Sequence, residues 1–180
     1  MGHFYFVRHG QTIWNVENKI CGATDIALTE LGHEQAIETG KKILAEGIKA
    51  DEILTSPLCR AADTAKHISE ITGIPMRIEE RLKEQNFGIY ETTARDGKEF
   101  HEAKKHCSSR YGTGESILHL AQRIYNLLDD IKEESDKKTY ILVAHNGIAR
   151  MVESYFRDMD SEEFSCFGVK NCEIVRYDFE

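Results

Sequence analysis

Four side chains able to handle a phosphoryl group follow short apolar runs in this sequence. Arg8 and His9 come directly after Phe4-Tyr5-Phe6-Val7, Arg60 comes soon after Glu52-Ile53-Leu54-Thr55, and His145 directly after Thr139-Tyr140-Ile141-Leu142-Val143-Ala144. Imidazole serves as a nucleophile or proton carrier near neutral pH. Guanidinium forks match the paired oxygens of phosphate and carboxylate. Each residue also has a plain reading. A histidine at a strand end is commonly just a satisfied polar group. Gly10 and Gly147 suit turns, and a salt bridge would account for Arg60. Yet Arg60 falls in the first turn of a predicted helix, where the dipole disfavours a cation, and a bound anion would explain that placement. The convergence of the four on one rim, more than any one of them, points to a phosphate site.

The elements that must position them alternate along the chain. Phe4–Val7 and Thr139–Ala144 read as strands buried on both faces, and Glu52–Thr55 as another. Met76–Glu79 suits a short third strand. Val175, Tyr177 and Phe179 alternate with polar residues, which predicts a half-exposed strand near an edge. Ala36, Ile37, Gly40, Ile43 and Leu44 recur at helical spacing after a Thr29 cap. Ser56-Pro57 predicts the cap and first turn of a helix that carries Arg60 and stops at Gly73. A helical stripe runs from Ile117 to Ile131, and another from Ile148 to Phe156. The alternation predicts an α/β fold: a three-layer α/β/α sandwich with a mostly parallel central sheet and an antiparallel edge strand. In such sheets ligands bind beyond the carboxyl ends of the strands. Residues 83–115 are irregular and polar, with one short helix near 96–106, and read as a cover over that rim.

At 180 residues the chain suits one domain spanning 1–180. With 23 Lys and Arg against 31 Asp and Glu, it has no basic excess, which predicts no nucleic-acid partner. No apolar window is long enough for a membrane span, and Met1-Gly2-His3-Phe4 lacks the features of a signal peptide. Cys21, Cys59, Cys107, Cys166 and Cys172 are odd in number and form no C-x-x-C pair. They are expected to be reduced structural thiols in a cytoplasmic protein. Zinc wants about three protein ligands, and no H-E-x-x-H or comparable spacing supplies them, so neither metal nor cofactor is expected. His33, His67, His101, His106 and His119 are expected on the surface, and Lys104-Lys105 as a solvated pair.

Arg8-His9-Gly10 with Thr12 and Asn15 resembles the opening motif of the histidine phosphatase superfamily, also called phosphoglycerate mutase-like. Further blocks follow in the family's order: Gly22-Ala23-Thr24-Asp25, Ser56-Pro57-Leu58-Cys59-Arg60-Ala61, Leu82-Lys83-Glu84, Gly114-Glu115-Ser116 and Val143-Ala144-His145. The resemblance implies that His9 is a nucleophile forming phosphohistidine, that Arg8, Arg60 and His145 hold the phosphate, and that Glu84 is the proton donor. It also implies that Asn15 and Gly22 touch phosphate or substrate. Asn146 stands where glycine commonly follows the second histidine, and is expected to narrow the pocket or contact phosphate. Thr92 and Cys21 also depart from the family's pattern.

Mutases resembling this family carry a longer insertion whose arginines grip a second anionic group. Here the region from Tyr90 to Gly114 is short and holds only Arg95 and Arg110. The expectation is therefore a metal-independent phosphomonoesterase acting on a small phosphorylated substrate. A mutase, a phospho-ligand binding module without turnover and a metal-dependent hydrolase are the alternatives. No motif names the substrate. Nothing fixes the oligomeric state, although the C-terminal strand offers an edge on which a homodimer could pair.

Overall fold

In the computed structural model, which describes residues 2–180, the chain runs β1 (His3–Arg8), α1 (Ile13–Val16), α2 (Glu30–Ala45), β2 (Glu52–Thr55), α3 (Cys59–Thr72) and β3 (Met76–Ile78). It continues through α4 (Lys98–Ala103), α5 (Ile117–Glu134), β4 (Tyr140–Ala144), α6 (Asn146–Phe156), α7 (Ser161–Cys166) and β5 (Ile174–Asp178). The strands order as β3-β2-β4-β1-β5. All neighbours are parallel except β5, which runs antiparallel to β1 at one edge. The expected fold class is the one observed.

The pleat sends alternate residues to opposite faces, which explains the continuous apolar runs. Phe4, Phe6, Leu54, Tyr140 and Leu142 face a core completed by Leu120, Ile124 and Leu127 of α5 and Ile148 and Val152 of α6. Val7, Ile53, Ile141 and Val143 face the other side, against Ile43 of α2 and Ala61, Ala65 and Ile68 of α3. Thr29 caps α2 by accepting the Gly32 N–H at 3.0 Å, a contact worth about 1 kcal/mol. Gly73 ends α3 at φ +75°, a left-handed conformation that favours glycine. Among the described residues no helix is long and apolar enough to cross a membrane.

Two local expectations need correction. The third helix starts at Cys59, with Leu58 rather than Ser56 at its cap position. Ser56 is diverted: its hydroxyl lies 2.7 Å from the His145 ring. The cap comes from afar instead, as the Asp25 carboxylate accepts the Cys59 N–H at 2.8 Å. The segment 83–115 is also more ordered than its polarity suggests. Phe87, Phe100 and Tyr111 close over Ile20 in a small separate core, with Tyr90 and Ala103 packed against it.

Candidate active site

Strands β1 and β4 lie side by side, with Arg8 paired to Ala144 in register. The next residue of each strand is a histidine, and the His9 N–H donates to the Ala144 carbonyl at 2.9 Å. The two rings are thereby set with centroids 5.2 Å apart. Both side chains are buried. Burial first, then Arg60, holds each imidazole well below its ordinary pKa, so both are neutral. His9 Nδ1 lies 2.7 Å from the Gly10 carbonyl. A carbonyl only accepts, so Nδ1 carries the proton and the Nε2 lone pair is free. The Gly10 N–H donates to Thr64 Oγ1 at 3.0 Å. A Cβ at Gly10 would strike the Gly32 backbone, so glycine is required here for close approach.

The guanidinium groups are fixed by main-chain carbonyls. Arg60, at 1% exposure, donates from Nη1 to Thr24 O at 2.8 Å and from Nη2 to Gly22 O at 2.7 Å. Those carbonyls offset the misfit of a cation at a helix N-terminus. Arg8 donates from Nη1 to Val169 O at 2.7 Å, and burial followed by the Arg95 charge pushes it down to about 10. Arg8 Nε, Arg60 Nε and His145 Nδ1 are buried with no partner among the described residues. Ser56 Oγ accepts the Leu58 N–H at 3.3 Å and lies 2.7 Å from His145 Nε2; in the tautomer where that nitrogen accepts the hydroxyl proton, Nδ1–H is the donor left over. These unpaired donors suit an oxyanion. Glu84 is buried beside them, accepting the Gln85 N–H on Oε1 at 2.8 Å and the Gly147 N–H on Oε2 at 3.0 Å.

The other expected residues divide into supports and neighbours. Gly22 acts through its backbone, giving its carbonyl to Arg60 and its N–H to Glu91. Asn15 closes a capping box with Thr12, its Oδ1 accepting the Thr12 N–H at 3.0 Å. Asn146 turns its Oδ1 to the Val169 N–H at 2.9 Å. His101, His106 and His119 are exposed as expected. His33 and His67 are instead half-buried, with ring nitrogens 2.9 Å apart where α2 meets α3. Lys104 is half-buried too, against the Phe100 ring, while Lys105 is exposed and paired with Glu102. Among the described residues no three His, Cys, Asp or Glu side chains converge as a metal cage would.

Several supports escaped the sequence reading. The Glu91 carboxylate accepts from the N–H groups of Gly22, Ala23 and Phe87 and from Thr24 Oγ1. It therefore shapes the loop whose carbonyls hold Arg60. The segment 167–171 gives Phe167 O to Arg150, Val169 O to Arg8 and Asn171 Nδ2 to His9 O. Main-chain carbonyls leave no residue-type signature, so the roles of Phe167 and Val169 are unmarked in the sequence, while Asn171 and Glu91 are visible there only as one more amide and one more loop acid.

A family model described as histidine phosphatase superfamily (branch 1) matches residues 4–180. The chain is 30% identical to a probable phosphoglycerate mutase of Erwinia tasmaniensis, covering 98% of this chain and 84% of that protein. A solved structure of a phosphoserine phosphatase variant from Entamoeba histolytica, in complex with phosphoserine, superposes with a TM-score of 0.85 at 28% identity. It covers 100% of this chain and 92% of that one. A mycobacterial glucosyl-3-phosphoglycerate phosphatase shares the fold at a TM-score of 0.82 and 24% identity, over 97% and 89% of the two chains.

Proposed function

The chain belongs to the histidine phosphatase superfamily, and on that premise we propose that it is a phosphomonoester hydrolase working through a phosphohistidine at His9. The observation that carries the reading is the His9 ring: proton pinned on Nδ1 by Gly10 O, lone pair free on Nε2, Arg8 and Arg60 close enough to act on it. Nε2 attacks phosphorus while the ester P–O bond breaks and Glu84 passes its proton to the departing oxygen. Arg8, Arg60 and His145 Nδ1–H hold the equatorial oxygens, where charge accumulates. In the second step Glu84 takes a proton from water, the new oxygen bonds to phosphorus, and the P–N electron pair returns to Nε2. Splitting the displacement in two makes each half easier. Because cationic side chains supply the positive charge, the route needs no metal, and full activity in chelator is expected.

Hydrolysis is favoured over transfer by the short cover and by access of water to Glu84. A polar cavity of about 310 Å3, lined by Lys83, Glu84, Asn86, Arg110, Glu115 and His119 among others, reaches that carboxylate. The likeness to a probable mutase keeps isomerisation as the second reading. Incubation with 3-phosphoglycerate separates them. Release of inorganic phosphate without 2-phosphoglycerate is expected, and net isomerisation would overturn the hydrolase reading.

A further inference from the structure

Residues 167–173, between α7 and β5, hold Arg8 and His9 while forming neither helix nor strand themselves. The Cys172 N–H donates to Arg8 O at 2.9 Å, and Asn171 Nδ2 donates to His9 O at 2.8 Å. The Val169 carbonyl accepts the Arg8 guanidinium from Nη1 at 2.7 Å. That bond matters because charge does not hold Arg8. Arg95, Arg150 and Arg60 repel it, with Glu84 opposing them. Its Nε has no partner among the described residues, so the Val169 carbonyl sets the direction of the guanidinium.

What sets that carbonyl in turn is the first residue of α6. Asn146 Oδ1 accepts the Val169 N–H at 2.9 Å. Only the oxygen of an amide can accept, which fixes the orientation of the side chain. A Cβ on Gly168 would lie 3.0 Å from both Oδ1 and Nδ2 of Asn146, so the backbone passes in close contact with the amide. The Val169 side chain is buried in the core that α5 and α6 build on the sheet. Its N–H, carbonyl and side chain are thus each engaged. Asn146 directly follows His145, so one stretch of chain beyond β4 presents a phosphate donor and supports another.

Resting on the phosphatase reading, we propose that Asn146 is a positioning residue, which through Val169 aims Arg8 at the transferring phosphoryl group. Charge grows on the equatorial oxygens in the transition state, so a guanidinium turned aside costs rate more than it costs binding. The plain alternative is that the Val169 bond only tethers residues 167–173. Another is that Asn146 Nδ2 donates to phosphate directly. Neither alternative acts through Arg8, and that separates them from the proposal.

The test is a double-mutant cycle in kcat/KM with dinitrophenyl phosphate, whose leaving group needs no proton and so keeps Glu84 out of the readout. Asn146→Ala should lower kcat/KM ~10–100-fold, as a misplacement approaching 1 Å does. In the Arg8→Ala background the same substitution should cost less than about 3-fold, because no guanidinium is left to misplace. Asn146→Asp keeps the acceptor, loses the donor and suits the first turn of α6, so its kcat/KM should stay close to that of the wild type. The full loss repeated in the Arg8→Ala background, or a folded Asn146→Asp as poor as Asn146→Ala, would overturn the role. If Asn146→Ala fails to fold, Asn146→Asp decides the matter: wild-type turnover supports the role, and a ~10-fold loss in the folded variant removes it. Calorimetry with vanadate reads the same grip without turnover. Weaker vanadate binding by Asn146→Ala with no ester hydrolysed by the wild type would sink the phosphatase reading alone. Esters hydrolysed by Asn146→Ala at the wild-type kcat/KM would sink the positioning role alone.

Discussion

Gly147→Ala probes the placement of the proton donor without touching its chemistry. An alanine Cβ would lie 3.0 Å from the Glu84 carboxyl carbon, 3.2 Å from Oε2 and within collision distance of Oε1. Carbon contacts are comfortable at about 3.5–4 Å, so the carboxyl group must retreat by ~0.5–1 Å. A misplacement near 1 Å costs ~10²-fold in rate, at the low end of the ~10²–10⁴-fold that a positioned acid supplies. Stability should hold up, because Gly147 lies within α6 and alanine is favoured there by about 1 kcal/mol over glycine. The assay is steady-state hydrolysis of an alkyl phosphate beside dinitrophenyl phosphate, whose phenolate leaves without a proton. We expect a ~100-fold fall in kcat/KM, which covers the steps up to phosphohistidine and not its shared hydrolysis, for the alkyl ester and a far smaller one for the activated ester. Equal losses on both, or none on either, would refute the role given to Glu84.

Acid should destabilise the fold through its two neutral imidazoles. His9 and His145 sit well below their ordinary value of 6.5 in the folded chain, so the unfolded chain binds protons first as pH falls. The stability they contribute is complete above about pH 6.5. It declines below that by up to ~1.4 kcal/mol per pH unit for each histidine, until the folded rings themselves take up protons. Urea midpoints measured across this range should fall accordingly, and a flat profile would contradict the burial of neutral rings. Glu91→Ala strands several half-buried donors around Gly22, Thr24 and Phe87. It should cost about 2–4 kcal/mol and weaken vanadate inhibition ~10-fold by loosening Arg60, whereas an unchanged Tm and Ki would remove Glu91 from the account.

Burial on both faces made β1 and β4 legible, since a strand so placed must be apolar throughout, and their ends named His9 and His145. The helices α2 and α5 declared themselves by their stripes, and α2 also by its Thr29 cap, whereas the Ser116 cap of α5 emerges only from the structure. The start of α3 was misread because Ser56 looks like a local cap, while its hydroxyl serves a histidine 89 positions away. The acid that does cap the helix, Asp25, is 34 positions away. Aromatic residues of the cover follow no period, so Phe87, Phe100 and Tyr111 gave no hint of packing together. Lys104 looked like half of a solvated pair, because adjacent lysines say nothing about which one turns inward. The anchors of Arg8, Arg60 and Arg150 are backbone carbonyls, present at every residue and so unmarked at any.

The free Nε2 of His9 carries the whole account, and rapid-quench labelling addresses it directly. Protein mixed with a phosphomonoester labelled on phosphorus and stopped in alkali should hold acid-labile, alkali-stable phosphate on the peptide containing His9. His9→Ala should hold none and should turn over no substrate. Label on any other residue, or a His9→Ala variant that hydrolyses the ester at the wild-type rate, would contradict it.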